Sequence, residues 1–322
     1  MRLAWCMIRA MKLVFFGTPE FSLPTLTRLV AGGHEVAQVV PRPDKPVGRK
    51  QEVMPPPVAV TARKLGLPVL QPKSLRGDEV VAKLAATGAE AGVVVAYGKL
   101  IPPRVLELFP RGCLNVHPSL LPRHRGPSPI QWAIACGDRV TGVTTMLLDE
   151  GMDTGPILLQ RRVEIGPRET AEELSARLAE LGAQLMLETL EGLENGTVTP
   201  RPQPSKGVSV TPMIRRQFGK VDWSHPAQKI FDRLRAFTPW PGLYTGFRGG
   251  RLKIHGLEVV TPPPPGEERP GTVLSADPDG IVVRCGRGTA ARITELQREG
   301  RRRMPADAFL IGERVSAGEH FG

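Results

Sequence analysis

The stretch KLVFFGTPEFSLPTLTRLVAGGHEVAQVV, residues 12–40, decides the fold. An apolar run ends in Gly-Thr-Pro, a helical segment with a Gly stop follows, and a second apolar run begins at Glu35. Neither run alternates polar with apolar residues, so both read as strands covered on both faces, which is the pattern of a parallel sheet in an α/β domain. The turn GTPEFS has one Gly only, without the G-x-G-x-x-G spacing of a dinucleotide site.

Outward from this unit the alternation continues. Helices are expected near residues 58–65 and 78–86, a short strand at Val69, and strands in AGVVVAYG (91–98), CLNVH (113–117) and GVTTMLL (142–148). Thr170 opens a long helix through a capping box with Glu173, and Leu174, Leu178, Leu181 and Leu185 form its core stripe. The polar, Pro-rich NGTVTPRPQPSK reads as a linker, placing a catalytic domain at 11–195, a linker at 196–212 and a second domain at 213–322. In that second domain Ser224 is expected to cap a helix. The runs LYTGF, RLKIHGLEVV, GTVLSA, GIVVRC and ARITELQ suggest a small antiparallel, OB-like β-barrel.

A chain of 322 residues accommodates two such domains. Charge is uneven: residues 1–200 carry +3 (23 basic, 20 acidic) and residues 201–322 carry +8 (20 basic, 12 acidic). The second domain is therefore suited to a polyanion, nucleic acid rather than membrane because no long apolar span exists, although Arg-rich surfaces also serve solubility alone. Cys6, Cys113, Cys136 and Cys285 are scattered without a C-x-x-C pair. That argues against a disulfide framework and a zinc site and fits the cytoplasm. Residues 1–10 precede a second Met at Met11 and read as a disordered or start-site extension. No zipper or exposed apolar stripe is visible, so a monomer is expected.

Three stretches carry the chemistry. Asn115 and His117 lie two apart in CLNVHPSLLPRHRGPSP, so on a strand they project to one face, at a strand's C-terminal end where open α/β sheets bind ligands. The pair could polarise a carbonyl oxygen, or Asn115 could satisfy the turn with His117 packed beneath it. In DEGMDTGPILLQ, Asp149 and Asp153 alternate with Gly151 and Gly155, on a turn from which a carboxylate could orient an imidazole or simply cap backbone amides. Loop 41–57, with six prolines and Lys45, Arg49 and Lys50, reads as a lid meeting an anionic partner. Ser119 and Ser128 lack a second base, so no protein nucleophile is evident. The set suits transfer between two bound substrates, with Asn115 and His117 holding an oxyanion and an Asp of the 149–155 turn orienting His117 and assisting proton movement.

GTPEFS (17–22), PDKPVGRK (43–50), AYGKLIP (96–102), LNVHPSLLPRHRGPSPIQWAI (114–134) and LLDEGMDTGPIL (147–158) resemble the methionyl-tRNA formyltransferases, a family of folate-dependent formyltransferases. So do GKVDWSHPAQKI (219–230), RAFTPWPG (235–242) and LQREGRRRM (296–304). The resemblance implies a Rossmann-like, mostly parallel catalytic domain. It further implies transfer of a formyl group from 10-formyltetrahydrofolate to the α-amine of initiator methionyl-tRNA, without a metal. It assigns catalysis to Asn115, His117 and Asp153. Folate is implied at Ala96, Tyr97, Gly98, Ile101, Ser119, Leu120, Leu121, Pro122, Leu148 and Asp149. For tRNA it implies Lys45, Arg49 and Lys50, together with Arg215, Arg216, Arg301, Arg302 and Arg303 of the basic domain. Met213 stands where the family usually has a Lys, and Arg215 and Arg216 could supply charge instead. Three alternatives remain: a small-amine acceptor such as glycinamide ribotide or an amino sugar nucleotide, a non-catalytic RNA-binding protein on this fold, and minor hydrolysis of the donor.

Overall fold

The computed structural model describes residues 9–48 and 51–322. Among these the chain divides into two compact units, one of the described residues up to 129 with 140–164 and 175–211, the other of residues 130–139, 165–174 and 212–322.

The first unit is built on a six-stranded sheet. Its strands are β1 (Lys12–Gly17), β2 (Glu35–Val40), β5 (Ala91–Val95), β6 (Cys113–His117), β7 (Val140–Leu147) and β8 (Ile157–Glu164), in the order β2-β1-β5-β6-β7-β8. The pairs β1–β2, β1–β5 and β5–β6 are parallel, whereas β6–β7 and β7–β8 are antiparallel. Every residue of β5 and β6 is buried, as the uninterrupted apolar runs require. Helices α1 (Leu23–Ala31), α2 (Pro57–Lys64), α3 (Asp78–Ala85) and α4 (Pro103–Leu106) fill the connections, and Val69 makes a lone parallel bridge with Val39 rather than a strand. Loop 41–57 contains a hairpin of β3 (Lys45–Val47) and β4 (Glu52–Met54), with Lys45, Val53 and Met54 exposed. Arg49 and Lys50 lie outside the described residues.

Helix α5 (Pro129–Ala135) precedes β7, and α6 (Ala171–Glu194) follows β8. The capping box of α6 forms as expected: Glu173 accepts from the Thr170 N–H at 2.8 Å, and its own N–H donates to Thr170 Oγ1 at 3.3 Å. The stretch expected to be a linker makes backbone hydrogen bonds to the first unit. Arg201 and Ile157 exchange backbone bonds of 2.8 Å, the Arg125 N–H donates to Ser209 O at 2.9 Å, and the Thr211 N–H donates to Arg125 O at 2.8 Å. Composition signals a Pro-rich, extended segment there, but extended backbone can equally bond to the edge of a neighbour.

In the second unit, α7 (Ala227–Phe237) and α8 (Ala306–Gly312) accompany β9 (Leu243–Phe247), β10 (Gly250–Val259), β11 (Val273–Asp277), β12 (Gly280–Arg284), β13 (Ala290–Arg298) and β14 (Met304–Pro305). All pairings are antiparallel, along β11-β12-β13-β10-β9 with β14 beside β13. Among the described strands no pair joins β9 directly to β11, but residues 318–322 bond to both: the Gly322 N–H donates to Gly246 O at 3.1 Å, and the Val273 N–H donates to Glu319 O at 2.7 Å. Ser224 does not cap α7. Its Oγ donates to Asp222 Oδ1 at 2.6 Å, and Pro226 holds the N-cap position. No helix among the described residues is long and apolar enough to cross a membrane.

Candidate active site

Strand β6 presents Asn115 and His117 at its C-terminal end, where their pairing partners on β7 are Met146 and Thr144. Both are buried, at 8% and 4% exposure. Among the described residues no group takes the Asn115 side-chain amide, so its N–H donors remain available. The His117 ring is held by a hydrogen bond at Nε2 and faces a carboxylate at Nδ1. Its Nε2–H donates to the His124 carbonyl at 3.0 Å, and Nδ1 faces Asp153 Oδ2 at 3.6 Å. Because a carbonyl can only accept, the neutral ring carries its proton on Nε2 and offers the Nδ1 lone pair toward the carboxylate. The loops supply this geometry through left-handed backbone at His124 (φ 57°) and Asp153 (φ 54°).

Burial lowers the His117 pKa below 6.5, and the Asp153 charge and the His124 carbonyl oppose that shift without cancelling it. His117 is therefore neutral near pH 7. Asp153 Oδ2 also accepts from the Gly126 N–H at 2.8 Å, which fixes the carboxylate between backbone and ring. In the neutral form the only N–H of His117 is engaged by the His124 carbonyl, and the Asn115 amide has no such partner among the described residues.

Turn 149–155 is tied by Asp149, which accepts from the Gly151 N–H at 3.1 Å and from Thr154 Oγ1 at 2.8 Å. Asp149 is thus committed to the turn. A Cβ at Gly155 would lie 2.0 Å from the Leu147 carbonyl, so this glycine is needed for close approach of the loop to β7 rather than to a ligand.

The three stretches assigned to folate meet at Leu148. It packs against a cluster containing Tyr97 and Ile101 and also against one containing Leu121. Tyr97 and Ile101 are core side chains, with Tyr97 edge-on to Phe16 at 5.7 Å, which leaves backbone groups of 96–98 as the accessible surface. Ala96 (φ 46°) and Gly98 (φ 79°) turn that backbone sharply. Ser119 Oγ donates to Arg123 O at 2.6 Å, so it is not a free nucleophile. Thr144 and Gln160 hold the SLLP turn of Ser119, Leu120, Leu121 and Pro122: Thr144 Oγ1 donates to Ser119 O at 2.7 Å, and Gln160 Nε2 donates to Leu121 O at 2.9 Å. Neither was singled out from sequence, although a buried Thr in an apolar run is the kind of signal that marks a hub.

Of the basic residues, Arg215, Arg216, Arg301 and Arg302 are exposed, and among the described residues none of the four forms an ion pair. Arg303 is paired with Glu295, which raises its own pKa and lowers that of the carboxylate. Met213 is exposed. Among the described residues no group of three His, Cys, Asp or Glu side chains could hold a metal.

Residues 11–190 match the formyl transferase family model, and residues 213–314 match that of the formyl transferase C-terminal domain. A methionyl-tRNA formyltransferase of Geobacter metallireducens is 44% identical over 97% of this chain and 99% of its own length. One of Solibacter usitatus is 47% identical over the same shares. The chain belongs to the methionyl-tRNA formyltransferase family. Among solved structures, the formyltransferase fold is shared with an N-formyltransferase from Helicobacter canadensis in complex with folinic acid and dTDP-3-aminofucose (TM-score 0.64, 17% identity, 90% of this chain and 100% of that one). It is shared too with HypX from Aquifex aeolicus in complex with tetrahydrofolic acid (TM-score 0.60, 18% identity, 96% of this chain and 50% of that one).

Proposed function

We propose that the protein transfers the formyl group of 10-formyltetrahydrofolate to the α-amine of initiator methionyl-tRNA in the cytoplasm, with residues 11–195 as the catalytic part and the basic residues 213–322 as the tRNA-binding part. The observation that carries the mechanism is the pairing of a free, buried Asn115 amide with a neutral His117 whose lone pair faces Asp153 at 3.6 Å. No protein nucleophile is needed. The amine of the second substrate attacks the formyl carbon and forms the new C–N bond, and the oxygen that becomes negative is stabilised by the Asn115 amide. The proton lost by the amine passes to the Asp153 carboxylate, which the Gly126 N–H fixes beside the His117 ring. The C–N bond to the folate nitrogen then breaks, and that nitrogen takes up a proton, so formyl-methionyl-tRNA and tetrahydrofolate result.

Folate contacts from 96–98, 119–122 and 148–149 are supported by their convergence on Leu148. The tRNA reading rests on Lys45, Arg49 and Lys50 of the 41–57 stretch and on Arg215, Arg216, Arg301 and Arg302. Arg303 contributes less, because Glu295 already neutralises it.

Labelled 10-formyltetrahydrofolate incubated with charged initiator tRNA, glycinamide ribotide, an amino sugar nucleotide or buffer should label the tRNA. An inert tRNA alongside a labelled small amine would replace this reading with the second. Asn115→Ala should lower turnover on the order of a hundredfold, as loss of one oxyanion donor does, with little change in thermal midpoint.

A further inference from the structure

In the docked stretch 201–211 only Gln203, Ser209 and Thr211 face inward. Ser209 and Thr211 bind the backbone of 124–127: the His124 N–H donates to Ser209 Oγ at 2.8 Å, and Thr211 Oγ1 donates to the carbonyls of Arg125 at 3.1 Å and Pro127 at 2.7 Å. Together with the backbone exchange between Arg201 and Ile157, these bonds account for the docking. Gln203 does something different. Its Nε2 donates to the carbonyls of Asp153 and Gly155, each at 2.8 Å, and its Oε1 accepts from Arg125 Nε at 3.0 Å and Nη2 at 2.7 Å. Both donors and both lone pairs of the amide are used, so side-chain position and amide orientation are fixed together. Flanking Pro202 and Pro204 stiffen the backbone that carries it.

We propose that Gln203 is a positioning residue for the Asp153 carboxylate, clamping the loop that bears Asp153 to the segment that carries Arg125 and Gly126. This rests on the reading of Asp153 given above. Gln203 binds both sides of the hydrogen bond that sets the carboxylate. On one side it holds the carbonyl of Asp153 itself, whose left-handed backbone (φ 54°) is unfavourable for a non-Gly residue and persists only where its surroundings fix it. On the other it holds Arg125, next to the Gly126 N–H that donates to Asp153 Oδ2. Release of either side frees the carboxylate from Nδ1 of His117.

The discriminating variant is Gln203→Glu. It keeps the length of the side chain and the acceptors for Arg125, so the stretch stays anchored, but it turns a carboxylate toward the two loop carbonyls where an amide donated. In the full-length protein, with formyl donor and methionyl-tRNA, Gln203→Glu and Gln203→Ala should each lower kcat tenfold or more, with KM for both substrates within twofold. The thermal midpoint of Gln203→Glu should stay at the wild-type value. In an Asp153→Ala background neither should lower kcat by more than a further twofold, because residues acting through one group do not multiply. The titration midpoint of the His117 ring should fall in Gln203→Glu, as in Asp153→Ala. Wild-type kcat in Gln203→Glu, or losses that multiply with Asp153→Ala, would overturn the proposal. Wild-type turnover in Asp153→Ala alone would instead overturn the reading of the site on which it rests.

Discussion

At the scale of single residues, the sequence exposes Asn115 and His117 because a period of two puts them on one face and the sheet topology puts that face at the ligand-binding edge. It does not expose which ring nitrogen is free. That depends on the carbonyl of His124, seven residues on, turned inward by a left-handed backbone that no local pattern requires. Gln203 is hidden for a related reason: it lies in a Pro-rich run whose composition says only that it is extended. The charge of His117 has a checkable consequence. Burial disfavours its protonated form in the folded state, so below pH 6.5 the unfolded chain binds the proton more readily than the folded one. His117 therefore costs no stability above that pH and destabilises increasingly as pH falls from the unfolded pKa to the lower folded one. Ring-proton NMR should place the His117 midpoint below 6.5. Asp153→Asn, which removes the charge that raises it, should push the midpoint lower still; a rise in that variant would contradict the assigned pairing.

At the scale of elements, the helices and strands were largely visible, since apolar runs and caps are local. The direction of β7 was not. Its interior residues are buried like those of a parallel strand, yet it runs antiparallel to β6, because covering both faces fixes burial and leaves direction to the connection. In the Leu stripe of α6, Leu174, Leu178 and Leu185 are core at 0–1% exposure, whereas Leu181 is half-buried. More informative is Gly182 on that helix. A Cβ there would lie 2.6 Å from Val116 Cγ1 and 3.4 Å from Val143 Cγ1, so the glycine lets α6 seat directly on β6 between the two site residues. Gly182→Ala gains about 1 kcal/mol of helix propensity but must displace a stiff β-branched side chain, so it should be mildly destabilising. Gly182→Val adds more bulk and should cost about 1–3 kcal/mol in urea unfolding. Turnover should fall with it, since Val116 lies between Asn115 and His117. Full activity alongside lost stability would show that β6 absorbs the strain without moving its ends.

At the scale of the whole molecule, the charge division was legible from counting, whereas its state of pairing was not. The Arg301–Arg303 triplet does not follow the last strand. It forms the turn between β13 and β14, and it splits into one Arg held by Glu295 across an ion pair and two left exposed. A three-residue charge run thus divides into a structural part and a part available to a polyanion, and the two should respond differently to substitution. Phosphate contacts release counterions, so each one lost reduces the salt slope of association by about 1. The double variant Arg301→Gln, Arg302→Gln should weaken kcat/KM for methionyl-tRNA and make its logarithm fall less steeply with the logarithm of salt concentration, by about 2 if both contact phosphate. KM for the formyl donor and the thermal midpoint should stay as in the parent chain. Arg303→Gln should do the reverse: it breaks a mostly exposed ion pair worth about 0–1 kcal/mol, moves the thermal midpoint slightly and leaves the salt slope nearly intact. Measuring both across the same salt series separates the two roles. An unchanged slope in the double variant would mean that the exposed arginines solubilise the second unit and that its excess charge engages tRNA elsewhere, with Arg215 and Arg216 the next pair to substitute.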